Sequence, residues 1–247
     1  MKSIVVFLHF LWYNDNKRKF WRNMMIQAVL FDMDGTVFDT EAIYRRCWIR
    51  AAKDVGFDED MELFFDRVGG LNMTDMSALV HRVYGEDTPF EELRERRRFY
   101  LEEELDCGVL PFKAGAPEIF AELKKRGVKI ALATSTGRKM VDRYLKMSGL
   151  EGVFDVIMTG ETVTHGKPHP EIFLTAAHKL GIAPERCVVV EDSYHGVRAG
   201  HAAGMYTVMV PDLHPCTEEI SSLLWHRCDT LSDLLPLVDE ENRCAKQ

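Results

Sequence analysis

The 247-residue chain lacks an excess of basic charge: 31 Lys and Arg face 39 Asp and Glu, a net charge of −8. That balance argues against a nucleic-acid binder, whose phosphate contacts need a basic surface. It leaves room for a local basic pocket that takes a small anion. Cysteine is sparse and scattered (Cys47, Cys107, Cys187, Cys216, Cys228, Cys244), with no C-x-x-C pair. Neither a zinc site nor a disulfide framework is indicated, and a reducing, cytoplasmic setting is expected. No internal repeat or low-complexity run is present. The apolar stretch Ile4 to Tyr13 is about ten residues long, short of the ~20 that span a bilayer. Lys2 ahead of it resembles the start of a signal peptide, but "NDNKRKFWRN" follows with no small-residue cleavage site. The other reading places the natural start at Met24 or Met25, with residues 1–24 a poorly ordered extension or leader.

What is present is a soluble, globular composition, 46% hydrophobic and 28% charged. From Gln27 onward, short apolar runs alternate with helical patterns. Ala28 to Phe31, Val128 to Ala133, Asp155 to Met158, Cys187 to Val190 and Tyr206 to Val210 read as buried strands. Between them, Ala116 to Arg126, Arg138 to Met147, Pro170 to Leu180 and Val197 to Ala203 read as helices that stop at glycines. Pro170 suits a first turn. This alternation predicts an α/β fold, a Rossmann-like parallel sheet with helices on both faces.

Residues 41–108 break the rhythm. They carry no convincing strand and three or four helical patterns. One is expected to begin with Thr88 as N-cap, Pro89 at the first position and Glu91 closing a capping box. The expected organisation is a core from 25–40 and 109–247, with an all-helical cap inserted at 41–108. An insert after the first strand sits over the carboxyl ends of the strands, where such sheets bind ligands.

The first strand ends in "FDMDGT". Residues two apart point the same way, so Asp32 and Asp34 leave the sheet edge together, and Gly35 permits a tight turn. Two carboxylates this close raise one pKa unless a cation lies between them. A hard divalent cation with oxygen ligands, Mg²⁺ foremost, meets that need. One carboxylate can then attack as a nucleophile while the other serves as acid and base. Taken alone, the pair reads more readily as solvated turn or cap residues. Three further strand ends favour the chemical reading. Thr134, Ser135 and Thr136 offer hydroxyls and N–H groups before a helix, an anion site. Lys167, between His165 and Pro168, can neutralise a carboxylate and a phosphate oxygen. Glu191 and Asp192 close a fully apolar strand with paired acids, which need a cation or a cap.

The four motifs together, DxDGT at 32–36, Thr134, Lys167 in GKP and Glu191-Asp192 in EDS, resemble the haloacid dehalogenase superfamily of phosphotransferases. The resemblance runs from Gln27 to about Leu237. The helical insert resembles the small cap of the subgroup that holds beta-phosphoglucomutase and sugar-phosphate phosphatases. The resemblance implies a mobile cap and Mg²⁺ as cofactor. It implies Asp32 as the nucleophile that becomes an aspartyl-phosphate, and Asp34 as general acid/base whose carbonyl also ligates the metal. It implies Thr134 and Ser135 around the phosphoryl group, Lys167 neutralising charge, Asp192 on the metal, and Glu191 a ligand or supporting partner.

Dehalogenation is disfavoured, since family dehalogenases use a single aspartate without metal. Thr36, and Tyr44 and Met73 where the mutase pattern has histidine and arginine, favour hydrolysis over phosphoryl transfer to a second site. A mutase, or a catalytically quiet binding protein, is the alternative. The cap stretch Val68 to Met73, with Gly70, resembles a substrate-specificity loop. Arg97 in the cap, and Thr136 and Arg138 after the second motif, are further substrate-binding candidates. The expected partner is a small phosphorylated metabolite, sugar or sugar acid first and a nucleotide monophosphate next. Neither nucleic acid nor membrane is expected, and the chain is expected to be a monomer or small homo-oligomer.

Overall fold

A computed structural model describes residues 25–245 apart from 69, 70, 72, 109 and 214. The expectation for residues 1–24 lies outside the described residues. Six strands form one parallel sheet in the order β3-β2-β1-β4-β5-β6. They are β1 (Ala28–Phe31), β2 (Lys129–Ala133), β3 (Val156–Met158), β4 (Cys187–Glu191), β5 (Tyr206–Met209) and β6 (His226–Arg227). Val29 sits opposite Ile130 on one side and Val188 on the other. The chain order reverses between β1 and β4, the crevice at which open sheets of this kind take ligands.

The alternation of strand side chains decides the two layers. Val29, Phe31, Ile130, Leu132, Val188 and Val190 face one way, against α5 (Ala116–Lys125), α6 (Arg138–Ser148) and α10 (Leu234–Cys244). Ala28, Leu30, Ala131, Ala133 and Val189 face the other, against α7 (Glu171–Leu180) and α8 (Tyr194–Ala202). Every residue of β1 is buried, which is why the strand reads as an unbroken apolar run.

Between β1 and α5 lie α1 (Glu41–Val55), α2 (Met61–Val68), α3 (Met73–Tyr84) and α4 (Phe90–Cys107). They share a core of their own, built on Trp48, Phe57, Phe64, Phe65, Val80, Phe90 and Leu93. The chain leaves for this insert and returns from it side by side. Asp39 N–H donates to the Pro111 carbonyl and Lys113 N–H to that of Val37, both at 2.9 Å.

Two local expectations are corrected. Thr88 does not cap α4: Pro89, at φ −76° and ψ 53°, is not helical, the helix starts at Phe90, and no side chain caps it. Phe90 N–H instead closes a turn on the Thr88 carbonyl at 2.7 Å. Glu91 pairs with Arg94 at 3.1 Å rather than reaching back. Burial of Phe90 beside the Trp48 ring, 6.2 Å between centroids, fixes where the helix begins. The sheet also gains β6, a two-residue exposed edge strand whose His226 and Arg227 carry no apolar pattern. A four-residue helix, α9 (Glu218–Ser221), follows β5.

Candidate active site

The end of β1 turns sharply. Gly35, at φ +77°, donates its N–H to the Phe38 carbonyl at 2.8 Å. A Cβ there would meet Asp192 Oδ2 at 2.3 Å, so the turn needs glycine for both conformation and space. The turn carries Thr36, whose hydroxyl donates to Asp192 Oδ1 at 3.1 Å. Val37 and Phe38 are fully buried and anchor the turn from below.

Asp32 is 7% exposed and Lys167 2% exposed. The Lys167 ammonium donates to Asp32 Oδ1 at 2.5 Å, Glu191 Oε1 at 2.6 Å and the Ala133 carbonyl at 3.0 Å. Glu191 Oε2 accepts from the Asp192 and Ser193 N–H groups and the Ser193 hydroxyl, at 3.2, 3.1 and 2.9 Å. Glu191 thus ties the lysine to the β4–α8 loop. The helix comes very close there: a Cβ on Gly196 would lie 1.8 Å from the Glu191 carboxyl carbon.

Asp34 lies two residues on and opens to the cavity. Its Oδ1 accepts from the Thr40 hydroxyl at 2.8 Å and the Tyr44 hydroxyl at 2.9 Å; its Oδ2 accepts from Thr136 at 2.6 Å. Tyr44 also shares a 2.9 Å hydrogen bond with Tyr144. Burial pushes the Asp34 carboxyl above its ordinary range, against these three donors, which favour the charged form. The like charge of Asp32, the cause expected from sequence, is not among its main causes. Burial also raises Asp32 well above the carboxylate range, with Lys167 opposing and Glu191 and Asp34 adding. Asp192 is raised by burial, then by Glu191 and Asp32.

Four acids thus face one ammonium. Carboxylate oxygens of Asp32, Glu191 and Asp192 lie within 4.8 Å of one another, all three residues buried. This set fits a hard divalent cation, which would relieve the repulsion that raises Asp32 and Asp192. Asp192 accepts from Thr36 at one oxygen and faces Gly35 with the other, whereas Glu191 is already bonded through both oxygens.

A cavity of about 250 Å³ opens over these groups. Asp32, Asp34, Thr134, Ser135, Thr136, Lys167 and Asp192 form its floor. Thr134 is buried and its hydroxyl accepts the Thr136 N–H at 3.1 Å. The roof is a stripe of α1, Glu41, Tyr44, Arg45 and Trp48, together with Phe65, Leu71, Met73, Met76 and Arg97. Arg138 is not brought in. It is exposed and its Nε binds Asp142 Oδ1 at 2.9 Å, while the neighbouring Gly137 lines the cavity. Gly70 lies outside the described residues. Sequence reasoning took Tyr44 only as a departure from a pattern and passed over Thr40, Glu41 and Arg45. Positions 41, 44, 45 and 48 lie on one helical face, so the spacing could have revealed them.

The model of the haloacid dehalogenase-like hydrolases matches residues 29–210. The phosphorylated carbohydrates phosphatase of Thermotoga maritima is 34% identical over 187 residues, 73% of this chain and 82% of that one. Hexitol phosphatase B of Escherichia coli is 32% identical over 190 residues, 75% of this chain and 84% of that one. Among solved structures, beta-phosphoglucomutase from Clostridium difficile is 26% identical, with a TM-score of 0.74 over 89% of this chain and 98% of that one.

Proposed function

The chain belongs to the haloacid dehalogenase-like hydrolase family, and from that premise we propose that it is a Mg²⁺-dependent phosphatase acting on a small phosphorylated carbohydrate. One observation carries the reading: a buried carboxylate bonded to a buried lysine stands beside a second carboxylate of raised pKa, under one cavity. That pairing supplies a nucleophile and a proton donor within two residues.

In this reading an Asp32 oxygen attacks phosphorus as the bond to the leaving oxygen breaks. Asp34 gives that oxygen its proton, and the alcohol departs from an aspartyl-phosphate. Asp34, now ionised, takes a proton from water as the water attacks phosphorus. The bond to Asp32 breaks and inorganic phosphate leaves. Lys167 offsets negative charge on the transferring group, and Thr134 and Ser135 orient it. Asp32 and Asp192 would hold Mg²⁺, with the Asp34 carbonyl, and the cation would supply further charge neutralisation. Glu191 fixes Lys167. Residues 41–108 act as the cap over a core of 25–40 and 109–247, and exclude bulk water.

The names of the relatives support a carbohydrate phosphate as substrate. Transfer to a second sugar hydroxyl is the competing reading, on the likeness to beta-phosphoglucomutase. Tyr44, which donates to Asp34 Oδ1 at 2.9 Å, stands where the mutase pattern has histidine, and that departure favours hydrolysis. Phosphate release should be measured with and without Mg²⁺ on hexose, hexitol and sugar-acid phosphates, nucleotides and p-nitrophenyl phosphate. Mg²⁺-dependent release, lost in Asp32→Asn, is the expected result. Conversion of beta-glucose 1-phosphate to the 6-phosphate without release would overturn it in favour of the mutase.

A further inference from the structure

His165, His169 and Glu171 gather on the solvent side of the turn that carries Lys167. Lys167 is buried and its ammonium reaches inward to Asp32 and Glu191, whereas the two imidazoles are 63% and 51% exposed. One ligand atom from each of the three residues lies within 4.8 Å of the other two. His165 Nδ1 stands 2.9 Å from Glu171 Oε2, and His169 Nδ1 stands 3.9 Å from the same oxygen. The two rings are 4.6 Å apart between centroids.

These distances bracket what a metal ion asks for: two ligand atoms ~2.1 Å from a tetrahedral zinc ion lie about 3.4 Å from each other. The carboxylate is already fixed in place. Its Oε1 accepts the Thr164 N–H at 2.8 Å and its Oε2 the His165 N–H at 3.0 Å. Pro168 and Pro170 set φ at two positions between the ligands, so little ordering is left for binding to impose. The contacts an ion would replace are the one from His165 Nδ1 to Glu171 and the long one, 3.3 Å, from the Glu171 N–H to His169 Nδ1. We propose that His165, His169 and Glu171 form a second metal site, distinct from the carboxylates of Asp32 and Asp192 and selective for a transition ion such as Zn²⁺. Two imidazoles and one carboxylate suit Zn²⁺, Cu²⁺ or Ni²⁺, whereas Mg²⁺ prefers oxygen ligands alone. Water completes the shell on the exposed side. An ion there clips the 164–171 turn together on its outer face while Lys167 stays on the inner one. The inference does not depend on the phosphatase reading.

The test titrates Zn²⁺ into the full chain in millimolar Mg²⁺, followed by calorimetry and by NMR of the histidine ring protons. One Zn²⁺ per chain should bind at micromolar concentration, and the ring signals of His165 and His169 should move first. His165→Ala and His169→Ala should each weaken binding at least about tenfold, no less than the loss of a contact that merely supports a metal ligand. The double variant should lose the site, and Asp192→Asn should keep it. Zn²⁺ should raise the Tm of the wild type and leave that of the double variant unchanged. Absence of uptake at micromolar Zn²⁺ overturns the proposal. So does uptake that survives in the double variant and disappears in Asp192→Asn, since the ion would then lie among the carboxylates at the cavity floor. The ring signals of the wild type decide the location even where a variant fails to fold: movement of other histidines, with His165 and His169 unchanged, also overturns it.

Discussion

Lys167→Met should unfold this protein more easily, and by an amount the site dictates. Methionine keeps most of the side-chain volume near Phe173, whose ring lies 5.0 Å below the ammonium. What disappears is the charge between Asp32 and Glu191 and the hydrogen bond to the Ala133 carbonyl. Removing one partner of a buried ion pair costs roughly 3–5 kcal/mol, because the other charge is left uncompensated. For a chain of this size 1 kcal/mol moves Tm by roughly 2–4 °C, so a fall of about 6–20 °C is expected at pH 8 in EDTA. The sign of the pH dependence follows from the carboxylates. Asp32 is already raised in the folded state, and loss of the ammonium raises it further. A folded state that holds a proton the unfolded chain has released loses stability as pH rises. The gap between variant and wild type should therefore widen from pH 5 to pH 8, and Mg²⁺ should narrow it. Thermal unfolding by circular dichroism reads both. A fall below about 3 °C at pH 8, or the same fall at both pH values, would refute the reasoning.

Asp34→Asn should lower kcat on sugar phosphates by about 10²–10⁴ and leave a phosphoryl adduct on Asp32 visible by intact mass with p-nitrophenyl phosphate, whose leaving group needs no proton. An unmodified, fully active variant would contradict the acid/base role. Tyr44→Phe removes one of three donors to Asp34 and should lower kcat about tenfold. The same change made in Asp34→Asn should cost little, and equal losses in both backgrounds would show that Tyr44 acts elsewhere. Glu41 is raised to about 7 by burial, then by Asp34 and Asp212. Its folded-state pKa exceeds its unfolded value of 4.5, so its contribution to stability falls as pH rises from 4.5 to 7. Glu41→Gln should therefore raise stability at pH 8, by at most about 3 kcal/mol, and change little at pH 4.5. Urea unfolding at the two pH values checks this, and a variant less stable at pH 8 would sink it.

By itself the sequence determined the sheet and the order of its chemistry. Five of the six strands read as short apolar runs; β1, β4 and β5 are buried throughout and β2 nearly so, and burial on both faces leaves a compositional mark. Asp32, Asp34, Thr134, Lys167, Glu191 and Asp192 were legible because a parallel sheet sends every carboxyl end to one edge, so residues far apart in sequence share one crevice. The tertiary structure alone decided how those residues pair. Lys167 lies between Asp32 and Glu191 rather than on the phosphate side alone, and Glu191 is bonded through both oxygens. Local spacing carries no record of such contacts, 135 and 24 residues apart along the chain. It could not show that Arg97 turns in over Trp48, although the i,i+4 spacing of Arg138 and Asp142 did allow their pairing on the outer face of a helix. Both arginines look alike in a charged helix, and the difference arises only when a second element covers one face and leaves the other to water.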